Sequence, residues 1–129
     1  MPRTADTITG KRHHLATTTR TLASLPALEY ELVRVVAHNW GGDANIGTLL
    51  VEGSSDPDAE LDVLLEDRGW VTVATVSDFL PSGGDFAYET SRYCDVAGPW
   101  ALLRVSGLKA VEADSIQARI DFIVTPWRD

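Results

Sequence analysis

The chain of 129 residues has one cysteine, Cys94, so no disulfide can form within it. It also has no apolar run of the length that crosses a bilayer. Its first fourteen residues lack the apolar block of a signal peptide. These absences predict a protein that is made in the cytoplasm, carries no secretion signal and has no membrane partner.

Sequence motifs that carry catalysis are missing as well. There is no Gly-x-Ser-x-Gly elbow, no phosphate-binding glycine loop and no paired-cysteine zinc spacing. His13 and His14 are adjacent, so in a strand they point to opposite faces and cannot share a metal ion. His38 stands alone at the end of a predicted strand, where a structural or solvated histidine is the usual outcome. We expect a protein that is not an enzyme and needs no metal or cofactor.

Charge is unevenly spread along the chain. The net charge is −8, yet residues 1–20 hold four basic residues against one acidic residue, a net +3 that leaves −11 for the rest. An acidic body should repel nucleic acid, because affinity for phosphates comes from lysine and arginine. The basic segment either lies on an acidic neighbour, such as a second copy, or is a solvated terminus. Its basic residues are Arg3, Lys11, Arg12 and Arg20.

Alternating apolar and polar residues predict strands along most of the chain. The predicted segments are an edge strand over 15–25 ended by Pro26, strands over 28–40 and 46–53, a hairpin over 60–76, and strands over 86–96, 100–108 and 115–126. Two points stay open. The phase change inside 28–40 indicates either a β-bulge or burial on both faces. A short helix over 59–65 competes with the first arm of the hairpin.

Seven or eight short strands with turn residues between them, and no long helix, define the expected fold class. We predict an all-β protein with an antiparallel two-layer β-sandwich, a jelly roll, and an extended N-terminal arm. Residues 1–14 form the irregular arm, and residues 15–129 form a single sandwich domain. Cys94 alternates with polar neighbours and is expected to be a small buried side chain.

Two groups of residues are candidate binding sites. Acidic residues alternate along the segment that begins at the turn Gly53–Asp56: Asp56, Asp58, Glu60 and Asp62. They are either ligands of a calcium ion or the solvent-exposed face of the chain. The tryptophans Trp40, Trp70, Trp100 and Trp127 all fall near predicted strand ends. There they either stack on a sugar or a partner, or cover the end of the core. At least two of them are expected to cover the core.

The stretches "LLVEGSSDPD…GWVTV" and "WALLRVSGL…ARIDFIV" resemble two groups of jelly-roll proteins. The first is the discoidin-like, galactose-binding modules, and the second is the small β-sandwich accessory proteins of tailed-phage virions. The resemblance covers about half of the chain. The chain departs from the pattern at residues 57–69, which separate the Ser-x-Asp turn from its tryptophan.

The virion resemblance implies a capsid decoration, or cement, protein that stabilises the shell through oligomeric contacts. Its partners would be itself, as a homotrimer, and the major capsid protein, at the capsid surface of the virion. The expected partner-binding residues are Arg3, Lys11, Arg12, Arg20, Trp40 and Trp100. Two alternatives remain: a tail or head–tail connector component, and a saccharide-binding module that uses Trp40, Asp43, Asp56 and Trp100.

Overall fold

The computed structural model describes residues 5–40, 46–62, 69–79, 91–109 and 115–127, and these residues form nine strands. The strands are β1 (Asp6–Ile8), β2 (Arg12–His14), β3 (Arg20–Pro26), β4 (Tyr30–Asn39), β5 (Thr48–Ser54), β6 (Trp70–Thr75), β7 (Ser91–Ala97), β8 (Leu102–Leu108) and β9 (Gln117–Pro126). A 3₁₀ turn at Val76–Asp78 follows β6. Within these ranges no helix is long and apolar enough to cross a membrane.

The strands form two antiparallel sheets. The first sheet has the order β1-β9-β4-β7, with β2 also paired to β9, and the second has the order β3-β8-β5-β6. When β1 and β2 count as one interrupted strand, eight strands fill two sheets of four in the order of a jelly roll. The predicted all-β sandwich is confirmed.

The core lies between the two sheets and is built from the inward faces of their strands. On β9 the inward residues are Ala118, Ile120, Phe122 and Val124, which the alternation of the sequence predicted. Strands β4, β5 and β8 contribute aliphatic residues from alternate positions in the same way. Those inward residues are Val33, Val35, Ala37, Leu49, Val51, Leu103 and Val105.

The phase change in β4 is a β-bulge. The register of β4 with β9 shifts between Tyr30 and Leu32, which places Glu31 outside the regular ladder. From Val33 onward every second residue faces the core. Of the two explanations left open by the sequence, the bulge is therefore the correct one.

The expectation that residues 1–14 are irregular is wrong for two segments. Strand β1 pairs with β9 near Phe122, and β2 pairs with β9 near Arg119, both antiparallel. Without them, one side of the ten-residue strand β9 would present unpaired backbone groups. Alternation is not recognisable over three residues, so this pairing could not be predicted from the sequence.

The predicted hairpin over 60–76 is also wrong in its first arm. Glu60–Asp62 is not in a strand, and β6 pairs with β5 instead. Residues 59–62 are not helical either, and residues 63–68 lie outside the described residues.

Two other strands differ from the prediction in their bounds. β3 begins at Arg20, five residues later than predicted, and ends at Pro26. Of the strand predicted over 86–96, residues 91–96 belong to β7, and residues 86–90 lie outside the described part.

Gly53 on β5 lies directly against the indole ring of Trp100. A Cβ atom on Gly53 would stand 2.5 Å from Cδ2 of that ring, closer than carbon atoms approach in proteins. Trp100 is partly buried and packs on the core. Its contact with Gly53 therefore closes one end of the sandwich, as expected for a tryptophan that covers the core.

We predict that Gly53→Ala destabilises the fold by about 2 kcal/mol, because the methyl group displaces the Trp100 ring. Alanine is otherwise the better strand residue, so without the clash the change would be neutral or favourable. Urea unfolding of Gly53→Ala in the wild-type chain and in the Trp100→Ala chain measures the effect. An equal cost in both backgrounds would contradict the contact.

Candidate functional site

The outer face of the first sheet carries a row of polar side chains that runs across four strands. The strand register places Arg12 of β2 opposite Arg119 of β9, Arg119 opposite His38 of β4, and His38 opposite Ser91 of β7. Directly opposite residues share a face of a sheet, so all four side chains belong to the outer face. Together with Trp40 and Asp121 these residues form what we call the Trp40 cluster.

Trp40 lies at the centre of this cluster, among cationic groups. The guanidinium carbon of Arg12 lies 4.1 Å from the ring centroid of Trp40, and that of Arg119 lies 4.6 Å from it. The imidazole of His38 stacks on Trp40 with a centroid distance of 5.3 Å and an angle of 11°. A guanidinium over an indole ring is attracted by the negative face of the ring. This contact therefore holds Arg12, a residue of the N-terminal arm, against the outer face of the first sheet.

Asp121 joins the cluster to the N-terminal arm. Its Oδ2 atom accepts from Nη2 of Arg119 and contacts Nε2 of His38, each at 2.9 Å, and its Oδ1 accepts from the backbone N–H of Gly10 at 3.0 Å. Gly10 lies between β1 and β2, where the backbone ladder with β9 is interrupted. The Asp121 carboxylate thus accepts the Gly10 N–H at the point where β9 offers no backbone partner, and this hydrogen bond holds the N-terminal arm on β9.

These contacts shift the pKa of Asp121. Burial raises the pKa, while the hydrogen bonds from Gly10, His38 and Arg119 lower it, and the net result is a pKa below the usual value for aspartate. The carboxylate is therefore charged throughout the neutral range. It is nearly buried, with 10 % of its side chain exposed.

A chain of hydrogen bonds runs from Ser91 through His38 to Asp121, as in a proton relay. The Oγ atom of Ser91 is 2.5 Å from Nδ1 of His38, whose Nε2 is 2.9 Å from Asp121. In serine hydrolases the serine usually meets Nε2 and the aspartate meets Nδ1, so this order is reversed. His38 is thus hydrogen-bonded on both nitrogens. This arrangement could not be predicted from the sequence, because Ser91 and Asp121 lie 53 and 83 residues from His38.

The six predicted partner-binding residues do not form one surface. The structure brings Arg12 and Trp40 together, with Lys11 exposed beside them. Arg20 lies on β3 of the other sheet, and Trp100 is packed on Gly53. Arg3 lies outside the described residues, as does Asp43 of the saccharide alternative.

The outer face of the second sheet holds a buried arginine under a loop. Arg104 is fully buried, and its Nε donates to Oε1 of Glu52 at 3.0 Å. The guanidinium of Arg104 also lies 4.2 Å from the ring centroid of Trp70, and its Nη1 donates to the Glu60 carbonyl at 3.1 Å. Arg104 therefore fixes the loop of residues 56–62, which we call the acidic loop, across this sheet.

Two more hydrogen bonds hold the backbone of the acidic loop. Trp70 Nε1 donates to the Glu60 carbonyl at 2.9 Å, and Thr21 Oγ1 donates to the Leu61 carbonyl at 2.6 Å. The acidic residues of the loop are exposed. The loop therefore presents carboxylates to solvent from a fixed backbone.

The acidic loop does not gather its carboxylates around one point. Asp56 accepts from the backbone N–H of Asp58 at 2.9 Å, and Ser54 Oγ accepts from the N–H of Asp56 at 3.1 Å. In the described ranges, which include all four acidic residues, no three His, Cys, Asp or Glu side chains are close enough to hold a metal ion. The turn is therefore a capped corner of the chain, and the acidic residues form a solvent face.

Cys94 is a core residue. Its side chain is buried on β7, and burial, with smaller contributions from Asp95 and Asp78, raises the pKa of the thiol to about 12. The thiol is therefore protonated and unreactive at neutral pH. The expectation of a small buried side chain is confirmed.

One end of the sandwich exposes large apolar groups. Leu28 is 59 % exposed and Trp127 is 39 % exposed. They are neighbours, because Trp127 Nε1 donates to the Leu28 carbonyl at 3.1 Å. The Trp127 ring also lies near Gly98, which is flanked by the exposed residues Ala97 and Pro99. We call Leu28, Ala97, Pro99 and Trp127 the apolar end.

Comparison with known proteins assigns no family. No family model matches the chain, and a search of curated proteins finds no match. A solved structure from work titled "Bacillus endospore appendages form a novel family of disulfide-linked pili" is similar in fold, with a TM-score of 0.49 and 11% identity. The alignment covers 99% of this chain and 93% of that chain. A likeness of this degree assigns neither a family nor a function.

We predict that Asp121→Asn destabilises the chain by about 2 kcal/mol at pH 7, because it removes a nearly buried carboxylate that accepts charged hydrogen bonds. The lowered pKa gives stability that is present above the ordinary aspartate value of about 4 and lost as the pH falls through the folded-state pKa. Urea unfolding at pH 7 and pH 3 should therefore show a smaller acid-induced loss in Asp121→Asn than in wild type. Equal losses would contradict this role.

Proposed function

We propose that this protein is a non-enzymatic structural subunit that assembles with copies of itself. In its most specific form, we propose a decoration protein of a tailed-phage capsid, a homotrimer seated on the major capsid protein. A position in the tail or the head–tail connector would use the same contacts. The observation that carries the proposal is the apolar end.

The apolar end has the composition of a contact surface. Exposed apolar residues scattered singly are ordinary, whereas adjacent ones that include a tryptophan are typical of protein interfaces. Leu28 and Trp127 are such a pair, and exposed Ala97 and Pro99 extend the surface. Burying this surface between copies would stabilise an assembly through the hydrophobic effect.

The saccharide-binding alternative has less support. Trp40 already contacts two guanidinium groups and His38, and Trp100 already packs on Gly53. A sugar ring would have to displace these groups before it could stack on either indole. Of the two tryptophans that this alternative requires, neither is an open stacking platform.

Hydrolysis is a second candidate function, favoured by the relay of Ser91, His38 and Asp121. In that reaction Ser91 Oγ would attack an ester carbonyl while His38 Nδ1 takes its proton. The ester C–O bond would break, the alcohol would leave with that proton, and water would then hydrolyse the acyl group from Ser91. A fluorophosphonate probe tests this function, because Ser91 would displace fluoride and become covalently labelled. Labelling that is lost in Ser91→Ala and in His38→Gln would show a serine activated by His38, and ester hydrolysis with multiple turnovers that is lost in the same two variants would overturn the non-enzymatic proposal.

We predict that Leu28→Ser weakens self-association at least tenfold, because the apolar end loses buried area that stabilises the contact. Light scattering coupled to size-exclusion chromatography over a concentration series measures the association. The matched control is Ile8→Ser, since Ile8 is 38 % exposed on β1 and lies opposite Phe122 in the middle of β9, whereas Trp127 follows the end of that strand. A wild-type chain that stays monomeric at every concentration would contradict the assembly proposal, and equal effects of the two variants would contradict the role of the apolar end.

The capsid assignment has its own test. Tailed-phage particles can be purified from cultures of a host that carries the gene for this chain and analysed by mass spectrometry. The proposal expects peptides of this chain in the particles at a fixed ratio to the major capsid protein. Purified particles that lack the chain would contradict the virion role and leave the self-assembling subunit standing.

A further inference from the structure

Among the described residues, the two outer faces of the sandwich present groups of opposite charge: the Trp40 cluster on one and the acidic loop on the other. The Trp40 cluster lies on the outer face of the first sheet, because its strand neighbours Ala118 and Ala37 face the core. The acidic loop lies over the outer face of the second sheet, where it covers Arg104 between the core residues Leu103 and Val105. A cationic surface and an acidic surface therefore lie on opposite sides of one chain.

We infer that the acidic loop of one copy binds the Trp40 cluster of a second copy. This inference rests on the proposed function, since it names a contact by which copies assemble. The occupant is chosen by charge complementarity: the chain is acidic as a whole at −8, and the cluster is a local cationic surface on it.

The Trp40 cluster offers donors that fit carboxylates. The carboxylate of Asp121 already forms an ion pair with Arg119, so Asp121 does not also neutralise the positive charge of Arg12. Arg12 is exposed, and stacking on Trp40 holds its guanidinium in place. Exposed Lys11 is its chain neighbour. A guanidinium held on a ring keeps its N–H groups available for a carboxylate and loses less rotamer freedom on binding.

The acidic loop is suited to that surface because its backbone is already fixed. Arg104, Trp70 and Thr21 hold the Glu60 and Leu61 carbonyls, so the loop loses little conformational freedom on binding. Asp58 and Glu60 project their carboxylates from this backbone into solvent. The loop therefore presents a pre-ordered pair of negative charges.

Contacts between opposite faces make a head-to-tail assembly. Such a heterologous contact closes into a ring when the rotation between copies allows it and otherwise extends as a filament. Two acidic loops would repel each other, and so would two Trp40 clusters. Charge therefore favours the head-to-tail order over a face-to-face pair.

Two charge-reversed chains test the contact. The face variant carries Lys11→Glu and Arg12→Glu, and the loop variant carries Asp58→Lys and Glu60→Lys. Each variant alone should self-associate at least tenfold more weakly than wild type in 50 mM salt, measured by sedimentation velocity. An equimolar mixture should recover association, because the reversed face fits the reversed loop and the two native surfaces also fit each other. Thermal unfolding checks that both variants are folded.

The design separates a specific contact from net charge. The face variant moves the net charge from −8 to −12 and the loop variant moves it to −4. General repulsion would weaken only the first variant, whereas the proposed contact is weakened by both.

Salt gives an independent readout. Raising the salt from 50 mM to 500 mM should weaken the charged contact and leave the apolar end intact. If wild type associates but neither variant nor salt changes it, the charged contact is overturned and the proposed function stands. If wild type is monomeric at every concentration and salt, both are overturned. Failure of the mixture to associate, with both variants folded, also overturns the contact.

Discussion

The carboxylate of Asp121 is the interaction on which the arrangement of the first sheet depends. It sits in the interruption between β1 and β2, accepts the N–H of Gly10 and binds both His38 and Arg119. Each of the two arm strands has only three residues, so backbone pairing alone would hold the arm weakly. With Asp121 in place, Arg12 reaches Trp40, and the arm becomes part of the outer surface of its own chain. Of the basic residues predicted for the arm, Arg12 is thus held on the outer face of the first sheet, with exposed Lys11 beside it.

In the second sheet a buried charged group again holds a neighbouring segment in place, but the buried group is positively charged. Here the buried group is a cation, Arg104, and it binds Glu52 and the backbone of the acidic loop. A buried charge is costly unless it is fully paired, and each of these two groups is surrounded by hydrogen-bond partners. The two sheets therefore carry one buried charged anchor each, and each anchor orders an irregular segment. The two sheets form the core between them, while Asp121 and Arg104 determine which groups the outer faces expose to solvent.

The sequence predicted those parts of the fold that depend on local periodicity. Strand β9 follows from alternation, since the core faces one side of it, whereas the phase change in β4 left a bulge and burial on both faces as alternatives that the register decides. The candidate site could not be predicted in this way. Asp121 is 111 residues from Gly10, and Arg104 is 44 residues from Glu60. These contacts join segments far apart in the sequence, which become neighbours only through the order of the strands in the two sheets. Of the predicted contact residues, Arg12 and Trp40 meet, but as partners within one chain.

We propose that this jelly roll works through its surfaces, by contacting other copies at the apolar end and through its charged outer faces. Hydrogen–deuterium exchange on the wild-type chain, at high and at low protein concentration in 50 mM salt, is the decisive measurement. We expect slower exchange at high concentration in three places: around Leu28, in the acidic loop, and in β2. Identical exchange at both concentrations throughout the chain would contradict it.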